Sequence, residues 1–248
     1  MHADLGTVMT CAESVLWERL NKAGKTPLDA GWLGDVYCPS LSTALRKALA
    51  EKLGLLADQG WGILKALLTQ HGKQPELIHA AGLCHQPEAR DWLIQQLGDG
   101  KELELEVLQA MACWGAIVPT LLIKRIIGEP SQAMRLAGLE LLNFKAYQLS
   151  DDDLLNLIDD LLNDIRDPVV LTTIRLLQRR DGVDISNRIA EVARKGSDTS
   201  TRAALLALGY IGTSSTQANL SNLSQSLPND LHRDLAKKQL AQQYKSSP

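Results

Sequence analysis

The sequence predicts an all-α protein, a right-handed α-solenoid of about six helix pairs with a cap at each end. Its composition is the first observation, because 45 of the 248 residues are leucine and only 4% are aromatic, with Phe144 as the single phenylalanine. Unbranched side chains lose little rotamer freedom in a helix, so this mixture favours helices over strands. The second observation is a pattern that recurs about every 31 residues, as expected for stacked repeats.

The composition also excludes several classes of protein. A 45% hydrophobic content with a formal net charge of −3 argues against a disordered chain. Four scattered cysteines without a CxxC pair argue against a disulfide scaffold, and a pI of about 6.0 argues against a strongly basic nucleic-acid binder. No apolar stretch reaches the roughly 20 residues of a membrane span, and no signal peptide is visible. We therefore expect a cytoplasmic protein with reduced thiols.

Residues 1–39 form the predicted N-terminal cap. The stretch from Val8 to Lys22 has the pattern of one amphipathic helix. The following KTPLDAGWLGDVYCPS is rich in Pro and Gly, which predicts a loop with at most a short helix.

Residues 40–227 form the predicted repeats, and the clearest unit runs from Asp198 to Leu227. Asp198 is the predicted N-cap of its first helix, and Gly209 and Gly212 are predicted to end that helix. A second helix follows from Gln217, with leucines on one face.

Earlier units repeat this pattern of paired helices. Asp167-Pro168 opens an equivalent first helix, with the proline where its missing N–H is harmless. The preceding unit has its second helix from Asp151 to Ile165, after an insertion near 146–153. The predicted turns between paired helices are spaced by 31, 30, 30, 36 and 31 residues, at Gly54, His85, Gly115, Lys145, Asp181 and Gly212. Residues 228–248 close the single predicted domain with a polar helix from Asp230 to Tyr244.

The repeat unit resembles a known class of helical repeat. SDTSTRAALLALGYIG resembles the first helix of a HEAT-like repeat of the phycobilisome-lyase type, which has an Asp-Pro-like opening, an Arg, small residues and Leu-Gly-x-x-Gly. DPVVLTTIRLL and EPSQAMRLAGLELL match the opening half without the closing glycines. The resemblance covers residues 40–227 and implies a repeat class rather than an activity, because such repeats occur in lyases, glycosylases, adaptors and scaffolds.

A second resemblance covers the first third of the chain. CAESVLWERLNKAGKTP and ALRKALAEKLGLLADQGWGILKALL are similar to the N-terminal part of HEAT-like proteins encoded with bacterial type VI secretion genes. Those proteins tend to be longer than this chain. The resemblance implies a bacterial, secretion-associated role.

Aromatic and charged residues on the second helices are the candidate partner-binding residues, because these helices are expected to line the concave face. Trp61 and Trp92 offer large rigid surfaces, and each is either a binding anchor or a packing contact between repeats. The candidate cations of these helices are Lys65, Arg90, Lys124, Arg125 and Arg188.

The helix from Asp151 to Asp164 is the sharpest charge feature, with six aspartates and no cation of its own. Asp152, Asp153 and Asp160 are expected to project to solvent. They form either a docking surface for a basic partner or a solvated face favoured by the helix dipole.

Cys84, His85 and Cys113 lie near the same turn of neighbouring repeats, where they could meet in space. Two thiols and an imidazole are zinc ligands, but no fourth ligand has a recognisable spacing. We predict no bound metal and no cofactor.

These observations predict a non-enzymatic adaptor or scaffold that binds a protein partner through its concave face. The alternative is an enzyme of the same fold, DNA glycosylase-like or bilin lyase-like. The chain has no GxSxG, HExxH or Gly-rich phosphate loop. Its scarce aromatics disfavour a chromophore site, and its acidic helix disfavours a nucleic-acid duplex.

Overall fold

Helices account for the whole regular structure of the described chain. The computed structural model describes residues 5–24, 27–98 and 102–246, with side chains from residue 13 to residue 244, and this part contains fifteen α-helices and no strand. The all-α prediction is therefore confirmed. The helices are α1 (Leu5–Asn21), α2 (Ala30–Val36), α3 (Thr43–Leu55), α4 (Asp58–His71), α5 (Pro75–Leu83), α6 (Pro87–Gln96), α7 (Leu105–Ala112), α8 (Thr120–Ile127), α9 (Gln132–Lys145), α10 (Asp151–Leu162), α11 (Asp167–Leu177), α12 (Val183–Lys195), α13 (Asp198–Ile211), α14 (Ser214–Ser226) and α15 (Asp230–Ser246).

The chain divides into two compact units, of which unit 1 ends at Gly115 and unit 2 begins at Ala116. In unit 1 the first helices of successive pairs stack, α3 on α5 and α5 on α7. In unit 2 the first helices α9, α11 and α13 stack in order, and the second helices α10, α12 and α14 stack beside them. Each unit is thus built from stacked helix pairs, as the solenoid prediction requires. One continuous domain over 1–248 stays a prediction.

The two predicted caps are helical. The first four residues lie outside the described part of the chain, after which α1 covers most of the predicted N-terminal helix. The Pro- and Gly-rich stretch contains the short helix α2, and the carboxylate of Asp29 accepts a hydrogen bond of 2.8 Å from the backbone N–H of Trp32 at its start. At the other end, α15 packs on α13 and α14.

Leucine fills the interior between the helices. Leu45, Leu49 and Leu53 follow one another at every fourth position of α3 and are fully buried. Leu205 and Leu208 are buried in the same way in α13. Burial of one such side chain contributes about 2 kcal/mol. The leucine excess therefore reflects a similar interface that is repeated along the chain.

Glycine allows the closest approaches between stacked helices in unit 1. A Cβ on Gly54 of α3 would lie 2.6 Å from the carbonyl oxygen of Ala80 in α5. A Cβ on Gly82 of α5 would lie within 3.0 Å of the backbone of Ala110 in α7. The prediction that Gly54 marks a turn is therefore wrong, because this glycine lies inside α3 and is needed for helix packing.

The turns inside the helix pairs agree with the predicted register at four of its six positions. His85, Gly115 and Gly212 have positive φ values of 52°, 59° and 71°. The turn predicted at Gly54 lies three residues later at Ala57, whose φ is 52°. Lys145 keeps a negative φ, because a 3₁₀ turn over Ala146–Gln148 follows it.

Asp181 lies in the turn between α11 and α12, as the register predicts. Two smaller predictions, about a helix end and a helix cap, are wrong. Gly209 does not end α13, which continues to Ile211. The N-cap of α13 is Ser197, whose hydroxyl accepts a hydrogen bond from the backbone N–H of Ser200, rather than Asp198.

Ala57→Gly is expected to stabilise unit 1 by about 1 kcal/mol, because a residue with a Cβ is strained at positive φ and glycine is not. Ala66→Gly is the matched control in the exposed interior of α4, where glycine should cost about 1 kcal/mol. Urea denaturation of both variants measures the two effects. Equal destabilisation by the two substitutions would contradict strain at Ala57.

Candidate functional site

Two tryptophans from neighbouring second helices meet in unit 1. Trp61 lies on α4 and Trp92 lies on α6, 31 positions later. Their ring centroids are 6.3 Å apart with an interplanar angle of 60°, an edge-to-face arrangement. Both side chains are half-buried. The two tryptophans therefore form a packing contact between repeats and are also part of the surface. A packing role and a binding role are thus compatible for both residues.

The two indoles line a shallow depression of about 370 Å³, which we call the Trp61–Trp92 depression. Its polar rim is formed by Lys65, Glu88, Asp91 and Gln95. Lys65, Glu88 and Asp91 are exposed. The candidate cation Arg90 does not line the depression, and its guanidinium is paired with the rim residue Asp91 at 2.7 Å.

The rim has an acidic end, where α4 and α6 begin. Glu88 lies in the first turn of α6 and Asp58 in the first turn of α4. Burial raises the pKa of the Cys84 thiol, and the carboxylates of Asp58 and Glu88 raise it further. Glu88 lines the depression and therefore places negative charge at the end of the rim where α6 begins.

A second depression, of about 430 Å³, lies between α10 and α12 in unit 2. Asp152, Asp184, Arg188 and Glu191 line it together with asparagine side chains. Arg188 donates hydrogen bonds to Asp159 and to Glu191. The candidate cation Arg188 is therefore neutralised within the chain.

Arginines from the following repeat pair with aspartates of the acidic helix. Asp151 pairs with Arg180 at 2.8 Å, and Asp159 pairs with Arg188. Arg180 follows α11 and Arg188 lies on α12, about one repeat later in the sequence. The residues of the acidic helix alone therefore could not predict these pairs. The acidic charge of α10 is thus partly neutralised by its neighbours.

Asp152, Asp153 and Asp160 are exposed, as expected. Asp153 also belongs to the start of α10, where Ser150 Oγ accepts a hydrogen bond from its backbone N–H and donates one of 2.7 Å to its carboxylate. Asp153 therefore stabilises the start of α10. Asp152 lines the unit 2 depression, where its carboxylate could contact a partner.

Lys124 and Arg125 lie in the last turn of α8, where a positive charge interacts favourably with the helix dipole. Lys124 is exposed and Arg125 is half-buried. Neither residue lines either of the two depressions. Their proposed part in partner binding stays a prediction.

The turn residues Cys84 and His85 have separate surroundings. The buried Cys84 thiol donates a hydrogen bond of 3.0 Å to the carbonyl oxygen of Ala57. His85 is exposed, and its ring lies 5.3 Å from the ring of Trp114. Over the described ranges, no group of three or more His, Cys, Asp or Glu side chains could hold a metal ion.

Two buried ion-pair clusters were not predicted from the sequence. In unit 1, Glu76 accepts hydrogen bonds from the Tyr37 hydroxyl at 2.8 Å and from Arg46 Nε at 2.7 Å. In unit 2, the Asp164 side chain is only 1% exposed and pairs with Arg135 at 2.5 Å and with Arg166 at 2.8 Å.

These pairs could have been predicted from the spacing of opposite charges along the sequence. Arg46 and Glu76 are 30 positions apart, and Arg135 and Asp164 are 29 apart. Lys73 and Glu104 form a further pair across 31 positions. These separations match the length of the repeat, so stacking brings a charge against the one in the neighbouring repeat.

No family model and no curated protein matches the chain. Among solved structures it is similar to human deoxyhypusine hydroxylase in complex with glycerol, at 15% identity over 95% of this chain and 99% of that chain, with a TM-score of 0.43. That likeness is too weak to carry an argument about function.

The class of protein is therefore defined by the helices themselves: an all-helical chain of stacked helix pairs. In the described residues, no helix is both long enough and apolar enough to cross a membrane. The specific resemblances to phycobilisome-lyase-type repeats and to secretion-associated proteins stay predictions.

Proposed function

We propose that the chain is a non-enzymatic adaptor that holds a protein partner on the second-helix face of unit 1. The Trp61–Trp92 depression is the anchor of this interface. The proposal includes the cytoplasmic location expected from the sequence and the association with bacterial secretion that the N-terminal resemblance implies.

The observation that carries the proposal is the half-exposed tryptophan pair inside a charged rim. Residues that dominate the binding energy of protein interfaces are enriched in Trp, Tyr and Arg, and polar groups commonly surround them. Indoles also bury a large area at a low cost in side-chain entropy. In a chain that is only 4% aromatic, two tryptophans in contact at the surface are an unusual concentration of such residues.

Trp92→Ala is expected to weaken binding of the native partner by at least tenfold, since truncation of a central interface residue costs about 2 kcal/mol or more. The partner is first recovered from the native host by cross-linking and pull-down with the intact chain, and its affinity is then measured with purified protein. Trp61→Ala should also weaken binding, because Trp61 supplies the other indole of the depression.

Leu55→Ala is the matched control, because Leu55 is an apolar side chain on the first helix α3 with 64% exposure. This variant should bind as the intact chain does. Circular dichroism of each variant separates lost binding from lost folding. Equal affinity of the intact chain, Trp92→Ala and Trp61→Ala would refute the proposed interface.

A further inference from the structure

We infer that the Trp61–Trp92 depression receives the guanidinium group of an arginine from the partner. The inference rests on the proposed function and specifies the chemistry of the bound group.

The ring geometry favours a cation. An indole carries negative charge density on its faces and positive charge at its edge. In an edge-to-face pair, the ring that presents its edge has neither face covered by its partner, and both indoles line the depression. A cation over an indole face within about 6 Å of its centroid is attracted, and Trp is the best of the aromatic residues for this contact.

The rim supplies carboxylates for the same cation. Glu88 and Asp91 line the depression. Glu88 has no ion pair among the described side chains, whereas Asp91 is shared with Arg90. The carboxylate of Glu88 is therefore available to a guanidinium that stacks on the indoles.

The positive charge of Lys65 distinguishes the two ends of the depression. Lys65 follows Trp61 by four residues on α4, one turn further from the start of the helix where Asp58 lies. The cation of the partner is therefore expected at the end of the depression near Glu88, and Lys65 disfavours it at the opposite end.

A contact of the inferred kind is found among the described residues of unit 1. The guanidinium carbon of Arg19 lies 5.5 Å from the ring centroid of Trp32 in unit 1. Across the described residues, no arginine or lysine occupies the corresponding place over Trp61 or Trp92. Arginine is favoured over lysine for such a place because its planar, weakly hydrated guanidinium stacks on aromatic faces while it pairs with a carboxylate.

A titration followed by the indole N–H signals in ¹H–¹⁵N NMR spectra tests the inference. The five tryptophan signals are assigned with single Trp→Phe variants of the intact chain. The probe is the peptide acetyl-Gly-Arg-Gly-amide, and the control peptide has the uncharged side chain of citrulline in place of arginine. The signals of Trp61 and Trp92 should move with the arginine peptide, and much less with the citrulline peptide.

Glu88→Gln should weaken binding of the arginine peptide about twofold to fivefold, as for a solvent-exposed ion pair. Trp92→Leu should weaken it at least fivefold. Glu106→Gln is the matched control, because Glu106 is also exposed in the first turn of a unit 1 helix but lies outside the depression. It should bind the peptide as the intact chain does.

The results also separate this inference from the proposed function. Equal shifts with both peptides, no shift at Trp61 and Trp92, or equal weakening by Glu88→Gln and Glu106→Gln would each overturn the arginine site. If Trp92→Ala still weakens binding of the native partner in that case, the adaptor proposal stands without the arginine site. If the partner does not depend on Trp92, the proposed interface fails whatever the peptide does.

Discussion

Gly82→Ala is expected to lower the free energy of unfolding by about 1–3 kcal/mol, although alanine is the better helix former. Gly82 lies in α5, where α5 packs on α7, and a new Cβ would lie within 3.0 Å of backbone atoms of Ala110. A backbone cannot move aside as the end of a flexible side chain can. The two helices must therefore separate, which weakens the apolar contacts around them.

Gly62→Ala provides the matched control for this prediction. Gly62 lies in α4 of the same unit, and a Cβ there would meet nothing within 4 Å. The substitution should stabilise unit 1 by up to about 1 kcal/mol through helix propensity alone. Urea denaturation followed by circular dichroism measures both variants. Stabilisation by Gly82→Ala would show that α5 and α7 do not approach as closely as described.

Asp164→Asn is expected to destabilise unit 2 by about 2–3 kcal/mol. The substitution leaves the guanidinium groups of Arg135 and Arg166 without their carboxylate at a site where the Asp164 side chain is 1% exposed. The loss of stability should be smaller than for a fully buried ion pair, because the two arginine side chains are 21% and 25% exposed. Asp160→Asn, at an exposed position of α10, should change stability by less than about 0.5 kcal/mol.

The same site predicts a dependence of stability on pH. The hydrogen bonds from Arg166 above all, with those from Arg135, lower the pKa of Asp164 from its ordinary 3.8 to about 2. The folded state therefore favours the ionised carboxylate. About 2 kcal/mol of stability is present above pH 3.8 and is lost as the pH falls towards 2.

Thermal unfolding of the intact chain and of Asp164→Asn between pH 5 and pH 2 measures this contribution. The melting temperature of the intact chain should fall more steeply with acid than that of the variant. Parallel curves for the two proteins would show that Asp164 does not titrate differently in the folded and unfolded states.

The helices were predictable because a helix is determined by residues close together in the sequence. The opening Asp167-Pro168 and the leucines of α13 are local signals, and the structure agrees with them. The exact turns were less predictable. Gly54 was interpreted as a turn residue because glycine serves both turns and close helix contacts, and only the position of α5 distinguishes the two uses.

The candidate site was predictable in part. Trp61, Lys65 and Trp92 were recognised from their positions on second helices, and all three line one depression. Glu88 was not recognised as a site residue, because a glutamate in the first turn of a helix is common and only the stacked neighbour gives it a role.

The sequence by itself determined the all-α fold class, the repeat length and most of the helices, because leucine periodicity and helix-end signals act within a few residues. Only the tertiary structure decided which charges are paired, as with Asp164 and Arg135, and whether Trp61 and Trp92 meet. These contacts join residues about one repeat apart. Periodicity places such residues on the same face, but the stacking distance and the side-chain conformations determine which of them touch.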